Sequence, residues 1–278
     1  MEKNSLTMPV VKWAGGKRQL IPILSSLLPD QFTTYCEPFL GGGAMLFGCQ
    51  PQRAIVNDIN NDLIHMYKVI RDDVEALILE LEKHKNESVY FYKVRGWDRN
   101  KEKYNTLSNV EKAARLIYLN KTCYNGLFRV NNAGEFNTPF GNYKNPNIVN
   151  APTLRAVSNY FQKAEIVFLC RDYADILARI PQGTFVYLDP PYDPVSETAN
   201  FTGYSRGGFF RDDQIRLREC CHDLTRRGIK FMLSNSATDF IREQYAVYNI
   251  TIVQAKRAIN SDAAGRDNVD EVVIRNYG

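Results

Sequence analysis

Short apolar runs alternate with stretches of helical periodicity in the first and last parts of this 278-residue chain. Such runs predict buried strands of a mostly parallel sheet whose connections are helices. The predicted parallel strands are 32–39, 54–57, 165–170, 184–188 and 229–234. Two further runs, near 249–257 and 270–277, have no helix-length connection between them, so we expect an antiparallel pair.

The alternation stops in the middle of the chain. Helical patterns fill residues 61–122, where Ser108 and Glu111 have the spacing of a capping box at a helix N-terminus. Residues 123–147 contain many Asn, Gly and aromatic residues, and the turn-forming run 131–134 predicts a β-hairpin. This part of the chain should therefore be a helical module that carries a hairpin.

Together the patterns predict a doubly wound, Rossmann-like α/β sheet, mostly parallel with an antiparallel last strand. Residues 1–63 and 150–278 should form this sheet domain, and residues 64–149 should form the inserted module. The whole net charge of +4 lies in that module, which has 14 Lys/Arg and 10 Asp/Glu. A modest positive bias is a weak signal for a nucleic-acid partner.

Composition excludes several other classes of protein. Hydrophobic residues make up 44% and charged residues 24% of the chain, as in ordinary globular proteins. No apolar run approaches the ~18 residues of a membrane span and no signal-peptide core follows Met1, so we expect a cytoplasmic protein. The six cysteines and three histidines form no metal-like cluster, which predicts reduced thiols and no metal site.

The strongest chemical signal is the motif Asp189-Pro190-Pro191-Tyr192 at the end of a predicted strand. The two prolines stiffen the turn and supply no backbone N–H, so carbonyl groups are left without local donors. The Asp189 carboxylate, the Pro190 carbonyl and the Tyr192 ring would then surround a flat space with two acceptors and a stacking surface. Such a space suits a nucleobase that receives a methyl group on its exocyclic amine.

A glycine-rich turn, Gly41–Gly43, follows the first predicted strand and precedes a helix. Glycines there let a ligand approach the backbone at the helix N-terminus. Asp58 ends the second strand about 20 residues further on, where such folds place a carboxylate that binds ribose hydroxyls. Asp172 and Asp189 also follow strands, so four strands should present functional residues at one edge of the sheet.

In this order and spacing, the motifs resemble those of DNA adenine-N6 methyltransferases of the Dam type, which commonly modify GATC sites. The resemblance runs from Lys12 to the C-terminus. Its motifs are Lys12-Trp13-Ala14-Gly15-Gly16-Lys17, Glu37-Pro38-Phe39-Leu40-Gly41-Gly42-Gly43, Tyr124-Asn125-Gly126-Leu127-Phe128-Arg129, Phe136-Asn137-Thr138-Pro139-Phe140-Gly141 and Asp189-Pro190-Pro191-Tyr192.

The resemblance implies S-adenosyl-L-methionine as the methyl donor. By this likeness Lys17 would bind the methionine carboxylate, Glu37 its ammonium, and Asp58 the ribose. Asp172 would contact the adenine amine of the cofactor. The implied cofactor-binding residues are Trp13, Gly15, Lys17, Glu37, Phe39, Gly41, Gly43, Asp58 and Asp172. The implied catalytic residues are Asp189, Pro190, Pro191 and Tyr192.

Double-stranded DNA is the implied substrate, with the hairpin in the major groove and the protein associated with the nucleoid. Arg129 matches a position that recognises guanine, and arginine on guanine O6 and N7 is the commonest specific contact. The implied DNA-binding residues are Lys12, Tyr124, Asn125, Leu127, Arg129 and Pro139. Some relatives carry a basic residue where this chain has Asn142, and Ser196 and Thr198 are candidates for phosphate contacts.

Other readings stay open at this point. The same acceptor geometry suits cytosine N4, an RNA adenine or a protein glutamine amide, although glutamine methyltransferases usually have Asn in place of Asp189. A non-catalytic binding module should have lost acceptor or cofactor residues, and none is missing. A nucleotide-dependent dehydrogenase would explain Gly41–Gly43 and Asp58 but not the Asp-Pro-Pro-Tyr motif.

Overall fold

The structure of the protein is a computed structural model that describes residues 3–15, 17, 19–194, 208–256 and 268–278. The candidate phosphate contacts Ser196 and Thr198 lie outside the described residues. No helix in the described ranges is long and apolar enough to cross a membrane. Likewise, the described part of the chain contains no group of three potential metal-ligating side chains.

The described strands form one seven-stranded sheet with the order β3-β2-β1-β4-β5-β7-β6. The strands are β1 (Thr34–Glu37), β2 (Arg53–Asn57), β3 (Glu165–Leu169), β4 (Thr184–Leu188), β5 (Lys230–Ser236), β6 (Asn249–Lys256) and β7 (Asn268–Arg275). The first five strands pair in parallel, and β7 runs antiparallel to both β5 and β6. This sheet confirms the predicted Rossmann-like fold class.

Helices connect and cover these strands. In the described residues they are α1 (Ile21–Ser26), α2 (Ala44–Cys49), α3 (Asn61–Asp72), α4 (Val74–Glu82), α5 (Ser88–Arg95), α6 (Lys101–Thr106), α7 (Asn109–Thr122), α8 (Ala151–Lys163), α9 (Tyr173–Leu177), α10 (Arg211–Arg226) and α11 (Asp239–Gln244). The predicted capping box starts α7, with Ser108 and Glu111 each accepting from the other's backbone N–H. The sequence did not predict α1 and α11, because six residues show less than two turns of periodicity.

Both faces of the central strand β4 are buried, which explains why it is apolar without alternation. On β4, Phe185 and Tyr187 face a core formed with α2, α3, α7 and α8. Val186 and Leu188 face a second core formed with α9, α10 and α11. The ends of β4 and its parallel neighbours are therefore held from both sides at the edge where the candidate residues lie.

The central helices share the first of these cores with the sheet. Leu77 of α4, Phe91 of α5 and Tyr118 of α7 belong to the same apolar cluster as Phe185. The boundary expected at residue 64 falls inside α3, which packs against both α7 and α8. The division of the chain into domains 1–63 with 150–278 and 64–149 stays a prediction, and a continuous core joins its two parts.

The structure contains the predicted hairpin, with its turn at residues 131–134. Val130 pairs with Phe136 in an antiparallel bridge, and the backbone N–H of Asn131 donates to the carbonyl of Glu135 at 2.9 Å. Phe128 and Phe136 are buried beneath the hairpin, whereas Arg129 is exposed. The two aromatic rings thus anchor the hairpin while its polar residues face outward.

Asn57, at the end of β2, holds three strand ends together. Its side chain is buried, and its Nδ2 donates to the carbonyl groups of Pro38 and Arg171, each at 3.0 Å. Its Oδ1 accepts from the backbone N–H of Arg171 at 2.9 Å. Pro38 follows β1 and Arg171 follows β3, so one amide sets the spacing of the loops that leave three neighbouring strands.

Replacing Asn57 with Ala should destabilise the fold, because it leaves buried backbone groups of Pro38 and Arg171 without partners. We expect the free energy of unfolding to fall by about 2–3 kcal/mol, measured by urea denaturation. Asn249→Ala is the matched control, since its amide donates to Tyr277 at an exposed site. An equal and small loss in both variants would contradict this role for Asn57.

Candidate active site

The carboxyl end of β4 places Asp189 against Lys17 of the N-terminal segment. Asp189 Oδ1 lies 3.1 Å from Lys17 Nζ, and the Lys17 side chain is only 4% exposed. Lys17 Nζ also donates to the carbonyl of Gly15 at 2.7 Å. The contact with Asp189 is an ion pair, and Asp189 Oδ1 has no other partner among the described residues. A buried carboxylate oxygen is therefore available to a further donor.

The Asp-Pro-Pro-Tyr turn is held rigidly from β5 and α10. Gln214 Nε2 donates to the carbonyl of Pro191 at 2.8 Å, and Asn235 Nδ2 donates to Gln214 Oε1 at 3.0 Å. Asn235 Oδ1 accepts from the backbone N–H of Asp193 at 3.0 Å. No described group donates to the carbonyl of Pro190. The clamp thus fixes the turn and leaves the Pro190 carbonyl unengaged by the described residues.

Sequence reasoning missed this clamp. Gln214 and Asn235 lie far along the chain from the motif and are almost completely buried. The available signal was the polar run Ser234-Asn235-Ser236 at the end of an otherwise apolar strand. Polar side chains that must be buried need partners, and here the partners are backbone groups of Pro191 and Asp193.

Tyr192 lies beside Asp189 and is oriented by Glu271. The Tyr192 hydroxyl donates to Glu271 Oε2 at 2.8 Å. Lys17 Nζ is 4.3 Å from the centre of the Tyr192 ring. Sequence reasoning also missed Glu271, because it considered only residues that follow strands, and Glu271 lies inside antiparallel β7, opposite the last residue of β5.

Burial controls the electrostatics of these groups. It raises the pKa of Asp189 to about 6, a shift that Lys17 opposes and that the nearby Glu271 carboxylate increases. Burial, together with Asp189 and Glu271, also raises the pKa of the Tyr192 phenol well above its usual range. Tyr192 therefore remains a hydrogen-bond donor at neutral pH.

The glycine turn lies next to this group, between β1 and α2. Gly41 and Gly43 have φ values of +49° and +70°, which few other residues adopt. The Gly41 N–H donates to Asp58 Oδ2 at 2.8 Å, and Asp58 Oδ1 accepts from the N–H of Asn60 at 2.9 Å. Desolvation raises the pKa of Asp58, and the two N–H donors oppose this shift. Asp58 thus stabilises the glycine turn through its hydrogen bond with the Gly41 N–H.

Trp13 closes one side of the turn. A Cβ on Gly41 would lie 2.8 Å from Trp13 Cδ1, so the indole lies directly against the glycine backbone. The indole also stacks on Phe128 under the hairpin, with ring centres 5.0 Å apart and planes inclined at 23°. Trp13 therefore connects the glycine turn to the central module.

Three other predicted cofactor-binding residues, Glu37, Phe39 and Asp172, contact other side chains of the protein. Glu37 is 2% exposed, and its Oε2 accepts from the Tyr35 hydroxyl at 2.7 Å and from the N–H of Leu46 at 3.1 Å. Burial raises the pKa of Glu37 well above its usual range. Phe39 lies with its ring centre 5.0 Å from that of Tyr173.

Asp172 has a partner that the sequence did not reveal. Arg216 of α10 contacts both carboxylate oxygens of Asp172, at 2.7 and 2.9 Å. This bidentate hydrogen bonding lowers the pKa of Asp172. The ligand roles predicted for Glu37, Phe39 and Asp172 stay predictions.

The predicted DNA-contact residues are gathered around the hairpin. Tyr124, Asn125, Arg129 and Pro139 are exposed, and Leu127 is half-buried. Arg129 Nε donates to Asn137 Oδ1 at 2.9 Å. The strand-like segment at Lys12 is joined to α7, where the Asn120 side chain pairs with both the N–H and the carbonyl of Lys12 at 2.8 Å. Asn142 has a φ of +52°, a left-handed conformation that Asn tolerates well.

Comparison with known proteins places this geometry in a family. Residues 13–259 match the D12 class N6 adenine-specific DNA methyltransferases. The chain belongs to this family. The predicted reaction class, methylation of adenine N6 in DNA by an enzyme that uses a methyl donor, is therefore confirmed, and cytosine, RNA and protein acceptors are less consistent with this membership.

The similarity to individual relatives extends over nearly the whole chain. The type II methyltransferase M1.LlaDCHI of Lactococcus lactis subsp. cremoris is 39% identical, over 100% of this chain and 99% of the relative. The type II methyltransferase M.MjaIII of Methanocaldococcus jannaschii is 43% identical, over 97% and 99%. The DNA adenine methylase of Escherichia coli K12 is 35% identical, over 98% and 95%.

Gly41→Ala should displace Trp13, because the added Cβ would lie 2.8 Å from Trp13 Cδ1 on a backbone with φ +49°. We expect a loss of at least about 1 kcal/mol in the free energy of unfolding and a changed Trp13 fluorescence spectrum. The chain has two tryptophans, so Trp97→Phe in all variants would leave Trp13 as the only tryptophan.

The control for this change is Gly96→Ala. Gly96 has a φ of −71° and no atom within 4 Å of an added Cβ, so both readouts should stay at their parent values. An unchanged spectrum and stability in Gly41→Ala would show that Trp13 does not depend on the glycine.

Proposed function

We propose that this protein transfers a methyl group from S-adenosylmethionine to N6 of adenine in GATC sites of double-stranded DNA, after extruding that adenine from the helix. The observation that carries this proposal is the pair of acceptors beside the Tyr192 ring: Asp189 Oδ1 and the Pro190 carbonyl. An adenine amine has two protons to donate, and an enzyme that acts on a base in a duplex must remove it from the stack.

The surroundings of the glycine turn fit S-adenosylmethionine. The left-handed conformations of Gly41 and Gly43 form a tight turn at the N-terminus of α2, beside Asp58 and Trp13. Each oxygen of Asp58 accepts one N–H, so each retains a lone pair for a ribose hydroxyl. Trp13, Gly15, Phe39 and Asp172 would complete the walls of this site. The cofactor, when bound, supplies the electrophilic methyl group.

Lys17 has a role in both halves of the proposed site. Its Nζ lies 4.3 Å from the centre of the Tyr192 ring, within the space that a stacked adenine would need. A carboxylate of the bound cofactor would offer the ammonium a charge-assisted hydrogen bond in place of its ion pair with Asp189. We infer that Lys17 turns to that carboxylate and so opens the acceptor site, with Glu37 close to the ammonium of the same ligand.

The chemistry of the acceptor follows from its partners. Hydrogen bonds from the amine to Asp189 and Pro190 would favour a more tetrahedral nitrogen and free its lone pair for in-line attack. Positive charge then develops on the nitrogen, and the Asp189 carboxylate stabilises it. The methylated nitrogen is acidic enough to release its proton to water. Pro191 holds the turn through Gln214, and Tyr192 stacks on the base.

Target recognition would depend on the hairpin of the inserted module, residues 64–149. Asn137 holds Nε of exposed Arg129, which leaves the two terminal guanidinium nitrogens for guanine O6 and N7. Leu127 and Pro139 would contact thymine methyl groups. The proposed contacts at the opened base pair and the backbone are Tyr124, Asn125 and Lys12.

The proposal is tested by transfer of labelled methyl from S-adenosylmethionine to a duplex with one central GATC. A second duplex, in which the target adenines are replaced, is the substrate control. We expect label only in the first duplex and a loss of at least about 100-fold with Asp189→Ala, because charge stabilisation in the transition state is removed. Asp30→Ala, an exposed carboxylate, should retain activity. Equal labelling of both duplexes would reject the GATC target.

Arg129→Ala should relax the choice of site. Discrimination between GATC and a duplex with its guanine replaced should fall by about 1–3 kcal/mol, measured as the ratio of kcat/KM values. Lys144→Ala removes an exposed cation of the same module and should weaken binding to both duplexes equally. Undiminished discrimination in Arg129→Ala would exclude it as the guanine-reading residue.

A further inference from the structure

Glu271 lies on β7, which runs in the opposite direction to the parallel strands that carry the other site residues. Because β7 runs antiparallel to β5, its beginning lies at the edge where the parallel strands end. Glu271 pairs in register with Ser236, the last residue of β5, and Ser236 Oγ donates to the carbonyl of Asp193 at 2.5 Å. The backbone of β7 is thus joined to the end of the catalytic turn by the sheet itself.

The carboxylate of Glu271 makes a contact outside the sheet, since the pairing of β7 with β5 uses only backbone groups. It accepts the Tyr192 hydroxyl at 2.8 Å, across 79 residues of sequence. The hydroxyl oxygen lies on the long axis of the ring, so a hydrogen bond there ties the far end of the side chain and restricts displacement of the ring within the site. The ring held in this way is the one that, in the proposed function, stacks on the extruded adenine.

The titratable groups that face Asp189 include Tyr192 of its own turn and four others from separate elements. Lys17 lies on the N-terminal segment, Glu37 on β1, Tyr187 on β4 and Glu271 on β7. Among them Glu271 raises the pKa of Asp189 and Lys17 lowers it. The Glu271 carboxylate therefore acts on the catalytic turn both through a hydrogen bond and through its charge.

We propose that Glu271 is a positioning residue for methyl transfer, which holds in place the Tyr192 ring on which the target adenine stacks. This inference rests on the proposed function of Asp189 and Tyr192, and it goes beyond that function by adding a residue from the antiparallel strand. Glu271 acts through Tyr192 and makes no contact with the reacting atoms.

A double-mutant cycle tests the proposal. Glu271→Ala removes the acceptor, Tyr192→Phe removes the donor and keeps the ring, and the double variant combines them. We expect each single change to lower the single-turnover methyl-transfer rate roughly tenfold, with the double variant no slower than either single variant. Glu271→Gln keeps an acceptor oxygen and should stay within about threefold of the parent rate. KM for DNA should change less than the rate.

The pH profile separates positioning from a general loss of structure. Since Asp189 stabilises positive charge only when ionised, kcat/KM should fall as the pH drops below about 6. Glu271→Gln removes a negative charge that raises the pKa of Asp189, so this acidic limb should move to lower pH. Asp270→Asn, on the opposite face of β7 and exposed, should leave both the rate and the limb unchanged.

The experiment distinguishes a failure of the proposed GATC target from a failure of the proposed role of Glu271. Plasmid DNA of mixed sequence is used as a second substrate, so adenine methylation is measured whatever the target site is. Label in plasmid but not in the GATC duplex would reject the proposed target and still allow the cycle. Single-variant effects that multiply in the double variant, or a Glu271→Ala rate equal to that of the parent, would overturn the role of Glu271.

Discussion

The parallel pairing of β4 with β1 is the constraint on which the rest of the structure depends. It brings the end of β4, with Asp189, beside the end of β1, from which the glycine turn leaves. These residues are about 150 positions apart in the chain, and no local interaction could hold them together. Asn57 extends the same alignment to β2 and β3. The methyl donor and the acceptor are thus expected at adjacent strand ends of one rigid sheet, and chemistry that depends on alignment gains most from such a scaffold.

Burial of charge at this edge has a cost that the fold offsets elsewhere. Lys17 and Glu37 are nearly inaccessible, and Asp189 has one unengaged oxygen among the described residues. Each of these groups would be more stable in water. The two apolar cores on either side of β4 supply the compensating stability. A carboxylate kept in a dry, preorganised place interacts more strongly with developing charge than one in solvent, so the same burial would serve the proposed role of Asp189.

Sequence reasoning located most of this arrangement, because strand ends follow from apolar runs and turn residues. The mostly parallel sheet with its antiparallel last strands, the capping box at Ser108 and the hairpin were all predictable in this way. Contacts between distant elements were not. Nothing in the local sequence of Arg216 indicates its pairing with Asp172, and Glu271 lies inside an antiparallel strand and not after the end of a parallel one. Lys17 was expected to face a ligand carboxylate, and its nearest charged partner in the structure is Asp189.

The indole of Trp13 has a thermodynamic consequence. It touches the glycine turn on one side and Phe128 beneath the hairpin on the other. A ligand that orders the turn and a duplex that orders the hairpin therefore act on the same ring. By thermodynamic linkage, if the first ligand changes the affinity for the second by some factor, the second changes the affinity for the first by the same factor. With the cofactor at the turn and DNA at the hairpin, as proposed, this shared aromatic contact would couple the two affinities through one free energy.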